Sequence, residues 1–476
     1  MFLHRKNTAV YLMAMIAMVA SLLPGGPAHA DALEARVKLQ RNAPRGLEYV
    51  PTSSASASAG TARSLRVEPA IKINLDGDPF DNVYSSLLPL DMNGNGTSEY
   101  VHWNGHRVMR LYGRAGNKVW QVTNSTGRRQ DWTRYMHRDQ AVVLDLDSDG
   151  KEDILHCWQS GSTKTLVARD GATGEEIRSI LLRDQSVSVS AHCRISVYYK
   201  QSDRKPIVLL GETQAGGSAA CGGRNYTDNW ARVAAFDTSL RFLWNINTCD
   251  AGHMTAGVDA NADGYAEYVF VGKYAIDFNG KIRCTLSGWN GSDHVDAIRL
   301  ARLDPSKSEF QAVAVGRTGG GAFRPKDCGR LWSVPVKNPQ EMVIAQLDPA
   351  PAALSITVTN RSGQSAPVVT TVLNGRGQKV RTYNSVIEPM QNAQLDGYRR
   401  TDEVIGMFGQ VFNGKGDMLL SRNWYWNLKG SRVKERTTDN IYDRWVAYPL
   451  LYDMDSDGKE ELVTWGQSLI VEGEFR

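Results

Sequence analysis

Apolar and polar positions along the chain repeat one scheme. A short apolar run leads into a loop of acidic and small polar residues, and a second apolar run follows. Val142–Leu144 and Ile154–Leu155 flank one such loop. Runs this short, rich in branched residues and bounded by turn residues, read as strands. Beyond the second run come a strand, a glycine turn and another strand. Asn279-Gly280-Lys281, Asn374-Gly375-Arg376-Gly377 and Asn413-Gly414-Lys415-Gly416 are hairpin signals of this kind. Four strands per unit, repeated every ~45 to 57 residues, form the sequence signature of propeller blades. The fold class is therefore all-β: a β-propeller of about eight four-stranded blades, with seven the alternative count.

Four loops carry the full acidic pattern. They open at Asp91, Asp145, Asp259 and Asp453, and each places an acid at the ninth position: Glu99, Asp153, Glu267 and Glu461. Leu303-Asp304-Pro305, Leu347-Asp348-Pro349 and Leu395-Asp396 are weaker anchors at the same point of their units. The long gap between Asp145 and Asp259 has room for a unit whose anchor has decayed near Gln201-Ser202-Asp203, with strands at 195–199 and 207–210. The last unit is short of a strand. The segment 65–75 is expected to supply it and so close the ring.

Loop chemistry points to a hard cation. Oxygens stand at the first, third, fifth and ninth positions, the seventh offers a backbone carbonyl, and a glycine at the sixth allows the sharp turn. Carboxylates this crowded repel one another without a cation, and calcium takes about 6–8 oxygen ligands. The expected ligands are Asp145, Asp147, Asp149, Lys151 and Asp153; Asp259, Asn261, Asp263, Tyr265 and Glu267; Asp453, Asp455, Asp457, Lys459 and Glu461; and, more weakly, Asp91, Asn93, Asn95 and Glu99. That makes about three to four Ca2+ sites. An EF-hand needs flanking helices and an acid at the twelfth position. Here strands flank the loop and the acid stands at the ninth. The loops resemble the FG-GAP or VCBS repeats of integrin-like propellers, over nearly all of residues 66–476. The resemblance implies fold and calcium, not activity.

The chain has 476 residues. Its first 30 read as a secretory signal: His4, Arg5 and Lys6, an apolar stretch, then Ala28-His29-Ala30 as the cleavage site. Residues 31–64 read as a flexible leader and 65–476 as the calcium-binding propeller. The expected location is secreted, periplasmic or cell-envelope, with no transmembrane segment after cleavage. A net charge of +4 gives no argument for a nucleic-acid partner. Six cysteines in an exported chain favour disulfides. Cys157 and Cys193 fall on like sides of neighbouring blades, and Cys284 and Cys328 occupy like positions in the outer hairpins of two others. The rival is a Zn2+ site built from Cys249, His253, Cys284 or Cys328.

Histidines concentrate beside the first two strands of consecutive units. His137, His192, His253 and His294 precede first strands, while His102 and His156 each follow a ninth-position acid by three residues. All six are expected on the rim opposite the acidic loops. With Arg224, Tyr226, Arg232 and Trp158 close in register, this rim suits β-elimination of a uronic-acid polysaccharide. A cation offsets the carboxylate, a His or Tyr removes the C5 proton, and a second such group protonates the departing oxygen. The arrangement resembles the propeller polysaccharide lyases. Asp293-His294-Val295-Asp296-Ala297 through Asp304-Pro305 looks like a blade of the rhamnogalacturonan type, and the His137–His156 pair resembles the ulvan type. The resemblance implies His137, His156, Tyr226 and Arg232 as catalytic candidates. His102, His192, His253, His294, Arg224 and Trp158 are the substrate-binding ones. An acidic polysaccharide or other glycan is the expected partner. The alternative is a non-catalytic propeller that binds glycan or protein at the same rim.

Overall fold

The computed structural model describes residues 67–475 apart from 75–84, 105–106, 127–140, 148, 186, 188–192, 213–229, 262, 290–293, 305–308, 317, 349–353, 361–368, 384–388, 394, 396–400, 407–409, 421–449, 457–459 and 467–468. The signal and leader therefore lie outside the described residues, as do His137, His192, Arg224, Tyr226, Asp457 and Lys459.

Eight four-stranded antiparallel sheets make up the described structure, and they form a β-propeller. The first seven blades span 85–123, 141–181, 194–247, 255–285, 297–333, 339–383 and 389–420, each with its strands in chain order. The eighth combines both ends of the fold. Its three C-terminal strands, Leu450–Tyr452, Glu461–Gly466 and Leu469–Phe475, are completed at the outer edge by Val67–Asn74. The ring thus closes with the N-terminal strand, and the unit with the decayed anchor is a full blade, its first two strands being Arg194–Tyr199 and Pro206–Glu212. First strands of neighbouring blades lie side by side around the centre.

Each blade buries both of its faces against its neighbours, so its inner strands read as unbroken apolar runs. Tyr268–Val271 is buried throughout, whereas the outermost strand of the second blade, Glu176–Leu181, has only exposed and partly buried positions. The core is accordingly divided into eight clusters, one between each pair of adjacent blades. Val142, Leu155, Ile195 and Val208 join the second and third blades. Ile73, Tyr100, Tyr112, Met454 and Val463 join the eighth to the first.

A lock recurs at the periphery. The outer hairpins place a left-handed residue before the fourth strand: Gly116, Gly174, Leu240, Gly280, Cys328, Gly377 and Gly416. Onto four of the glycines packs an aromatic residue of the preceding blade's fourth strand. Trp120 covers Gly174, Trp244 covers Gly280, Trp332 covers Gly377 and Tyr383 covers Gly416. Trp120 Nε1, Trp244 Nε1 and Tyr383 OH donate to the carbonyls of Gly171, Phe278 and Gly414 at 2.9, 2.9 and 2.8 Å. Glycine is required because a Cβ on Gly280 would lie 2.7 Å from the Trp244 ring. Between the fourth and fifth blades the same two positions hold the disulfide Cys284–Cys328, with Cα atoms 5.8 Å apart.

Candidate functional site

The acidic loops stand on one face of the ring, and His253 and His294 stand on the other. In the loop opened by Asp259, the two carboxylate oxygens of Asp259 accept N–H from Asp263 at 3.1 Å and from Gly264 at 2.8 Å. Asp91 does the same for Asn95 at 3.1 Å and Gly96 at 2.7 Å. Gly96, Gly150 and Gly264 take φ of 86°, 87° and 92°, the sharp turn expected at the sixth position. The ninth-position acid has a shared role. Glu99, Asp153, Glu267 and Glu461 each accept the backbone N–H of the second loop residue, at 3.1, 2.9, 2.9 and 2.7 Å. Burial pushes the carboxyls of Glu99 and Glu267 upward, that of Asp153 to about 6 and that of Glu461 to about 7, with those N–H bonds pulling the other way. One oxygen of Asp145, Asp147 and Asp149 converges within 4.8 Å, as does one of Asp453, Asp455 and Glu461. The donor set, all oxygen and mostly carboxylate, fits calcium.

Loops without the full acid set show a different solution. Lys200 Nζ donates to Asp203 at 2.8 Å in the third blade, and Arg381 Nη1 reaches both oxygens of Asp348 at 3.0 and 3.1 Å in the sixth. A side-chain cation stands there against the loop acid.

On the far face, the segments entering the fourth and fifth blades meet. His253 precedes the strand Thr255–Val258, and His294 and Asp296 precede Ala297–Ala301. Backbone pairing of Gly252 with Val295, and the bond from His253 N to Val295 O at 2.9 Å, holds the two segments together. Gly252 takes φ of 119°, and a Cβ there would sit 2.0 Å from Val295 O, so only glycine allows this approach. Asp296 Oδ1 lies 3.1 Å from His294 Nε2 and 3.5 Å from His253 Nε2. The two imidazoles meet edge to face at 4.8 Å between centroids, and Asp250 Oδ2 is 3.9 Å from His294 Nδ1. Both rings are about one-quarter exposed, while Asp296 is buried. Buried Arg194, at the start of the third blade's first strand, donates to the His253 carbonyl and lies 3.2 Å from its Nδ1. Arg299 lies beside Met254, with its Nη1 2.9 Å from the sulfur. Burial lowers its guanidinium to about 10, which leaves it cationic at neutral pH.

Other expected rim residues are placed differently. His102 and His156 lie within strands that run on to Asn104 and Ser160, so three residues past the loop is mid-strand rather than the rim. Both are buried. His156 Nε2 accepts Arg169 Nε at 3.0 Å, and Trp158 packs against both, 4.9 Å from the His156 ring and 5.0 Å from the Arg169 guanidinium. His156 is thus a packed interior histidine with its Nε2 lone pair engaged. Arg232 begins the third strand of its blade on the far face and is partly exposed. The sulfurs named for zinc are oxidised: Cys284 pairs with Cys328, and Cys249 is also in a disulfide. Cys157 pairs with Cys193 as expected, Cα atoms 5.9 Å apart. The structure brings in Asp250 and Arg194, which sequence reasoning did not single out. Asp296 had a local signal. Two residues from His294 on an extended chain, it shares that side of the backbone.

No protein-family model matches the chain, and no curated protein does. Solved structures match its fold. Rhamnogalacturonan lyase YesW is 16% identical with a TM-score of 0.60, over 86% of this chain and 76% of that one. The Bacillus licheniformis rhamnogalacturonan lyase is 16% identical with a TM-score of 0.59, over 86% and 75%. The V. cholerae biofilm matrix protein Bap1 is 10% identical with a TM-score of 0.53, over 86% and 91%. Among the described residues, no helix is long and apolar enough to cross a membrane.

Proposed function

We propose that this chain is an exported, calcium-binding propeller lyase that cleaves uronic-acid-containing polysaccharide by β-elimination. The reading rests on the His253–His294–Asp296 cluster, partly exposed and flanked by Arg194 and Arg299, on a fold similar to that of rhamnogalacturonan lyases. The disulfides fit an oxidising compartment.

One imidazole nitrogen each from His253 and His294 and one carboxylate oxygen from Asp296 lie within 4.8 Å of one another, a spacing that suits three ligands of one divalent ion. Such an ion would supply charge neutralisation at the uronate carboxylate, which makes the C5 proton more acidic. The chain's own residues do the rest. Asp250 and Arg194 hold the two imidazoles in place, and Arg299 adds positive potential beside them. A base then takes the C5 proton, the C4–O bond breaks, a C4=C5 double bond forms, and the departing oxygen takes a proton. His137 and Tyr226 remain the candidates for these transfers; His156, packed in the interior, is withdrawn from them. The acidic loops on the other face would hold calcium and rigidify the blades.

Incubation with rhamnogalacturonan-type, ulvan-like and other uronate polymers should give new ultraviolet absorbance from the unsaturated product, abolished by His294→Ala. Absence of product from every polymer would refute the enzyme. The propeller fold is shared with the biofilm matrix protein Bap1, and a second reading is a non-catalytic propeller that binds glycan or protein at the same rim. In that case His294→Ala would weaken glycan retention and no product would form.

A further inference from the structure

Three of the four acidic loops are consecutive around the ring, in the eighth, first and second blades, and they touch one another through the same positions. The fourth residue of the eighth blade's loop, Ser456, donates its hydroxyl to the carbonyl of Gly96, the sixth residue of the first blade's loop. The fourth residue of that loop, Gly94, packs against Gly150, the sixth residue of the next; a Cβ on Gly94 would lie 3.0 Å from Gly150 O. Backbone stitches accompany each contact. Ser98 N donates to Met454 O at 2.7 Å, Glu152 N to Asp91 O at 3.2 Å, and Asp91 N to the Glu152 carboxylate at 2.7 Å. The fourth loop, opened by Asp259, follows a blade whose loop acid, Asp203, is met by Lys200.

We infer that the three adjacent loops form one coupled cation-binding array that fastens the seam where the ring closes; this rests on reading the loops as calcium sites. The fourth position lies between the ligands at the third and fifth, and the sixth lies between the fifth and the seventh. A cation that draws one loop inward therefore moves the segment on which the next loop's ligands are hung. Coupling of this kind is a free energy shared between sites and is reciprocal. The array straddles the join of the eighth and first blades. The eighth is built from both chain ends, and across this join Tyr100 and Arg114 of the first blade bond Glu472 of the C-terminal strand. Filling the array would hold the N-terminal strand Val67–Asn74 in place.

The test is calorimetric titration of the metal-stripped chain with calcium chloride, beside two variants. Ser456→Ala removes a contact between loops and no ligand. Asp259→Asn removes a ligand from the separate loop. In the parent the seam sites should fill together and the Asp259 loop apart. Ser456→Ala should weaken and flatten the seam transition, with an apparent affinity lower by about 5-fold or more, whereas Asp259→Asn should delete one binding event and leave the seam unchanged. Tryptic cleavage at exposed Lys72 should slow when calcium is added, and less so in Ser456→Ala. Calcium binding that Ser456→Ala does not alter would overturn the coupling and leave the calcium reading standing. An absence of both heat and protection would overturn the two together.

Discussion

Replacing Gly280 by Ala tests whether the aromatic locks hold the blades together. Gly280 takes φ of 83°, and a Cβ there would meet the Trp244 ring at 2.7 Å. The left-handed backbone alone costs an alanine about 1 kcal/mol. Displacing the indole adds an overpacking cost of about 1–3 kcal/mol. It also strains the bond from Trp244 Nε1 to Phe278 O, which is 2.9 Å long and worth about 1 kcal/mol. The expected loss is about 3–5 kcal/mol. Gly161 is the control: its φ is 59°, and a Cβ there meets nothing within 4 Å. Gly161→Ala should show the backbone cost alone, about 1 kcal/mol. Thermal unfolding of both variants, at on the order of 2 °C per kcal/mol, separates the two cases. Trp244→Leu should relieve the contact, so that the cost of Gly280→Ala in that background falls by about 2 kcal/mol in a double-mutant cycle. Equal Tm shifts for Gly280→Ala and Gly161→Ala, or strict additivity in the cycle, would refute the lock.

Asp296→Asn keeps the shape of the cluster and removes its charge, so product formation on the susceptible polymer should fall by about 100-fold or more with Tm little changed; a collapse of Tm would make Asp296 structural. Burial lowers the ammonium of Lys164 from 10.5 to about 8. Above that folded value the unfolded chain binds the extra proton, so stability should rise with pH from about 8 to 10.5 and the penalty should persist below 8. Lys164→Met should flatten that part of the Tm–pH profile, and an unaltered slope would contradict the assignment. Replacing Cys284 and Cys328 by Ser frees a 44-residue separation and should cost about 4 kcal/mol in the chain-entropy model, seen as a lower urea midpoint.

Much of the fold is legible in the sequence because the blade's signals are local. The acid at the ninth position, the glycine at the sixth and the following apolar run all sit within a few residues of each other, so the repeat and the strand that closes it can be read directly. The locks were less visible. Trp120, Trp244 and Trp332 stand third in their fourth strands and Tyr383 fifth, but their partners are glycines one blade away. The histidines show the limit of counting. The three-residue offset of His102 and His156 from their loops tells their place along a strand, yet not how far that strand runs on or whether a neighbouring blade covers the ring. Asp250 and His294 approach only because two separate links between blades share a rim, and no spacing in the chain encodes that.

The placement of the locks bears on the chemistry. The far-rim cluster draws Arg194 from the third blade, His253 from the link into the fourth, and His294 and Asp296 from the link into the fifth. Its 3.1 and 3.5 Å contacts persist only if two successive blade interfaces stay fixed, since productive geometry tolerates displacements of only about 0.5 Å. Of the three blades only the fourth carries the full acidic set, and its loop joins the third blade through Ala266, whose N–H donates to Tyr199 O at 2.8 Å. Further ties lie at the outer edge. Trp244 against Gly280 fixes the third blade to the fourth, and Cys284–Cys328 fixes the fourth to the fifth. The one covalent bond among the described outer locks thus stands where the largest share of the cluster crosses between blades. On the proposed reading of the acidic loops as calcium sites, cation-dependent rigidity would be concentrated instead at the closing seam, in the eighth, first and second blades. Removing calcium should therefore loosen the seam before it disturbs the histidines, and cutting the disulfide should do the reverse.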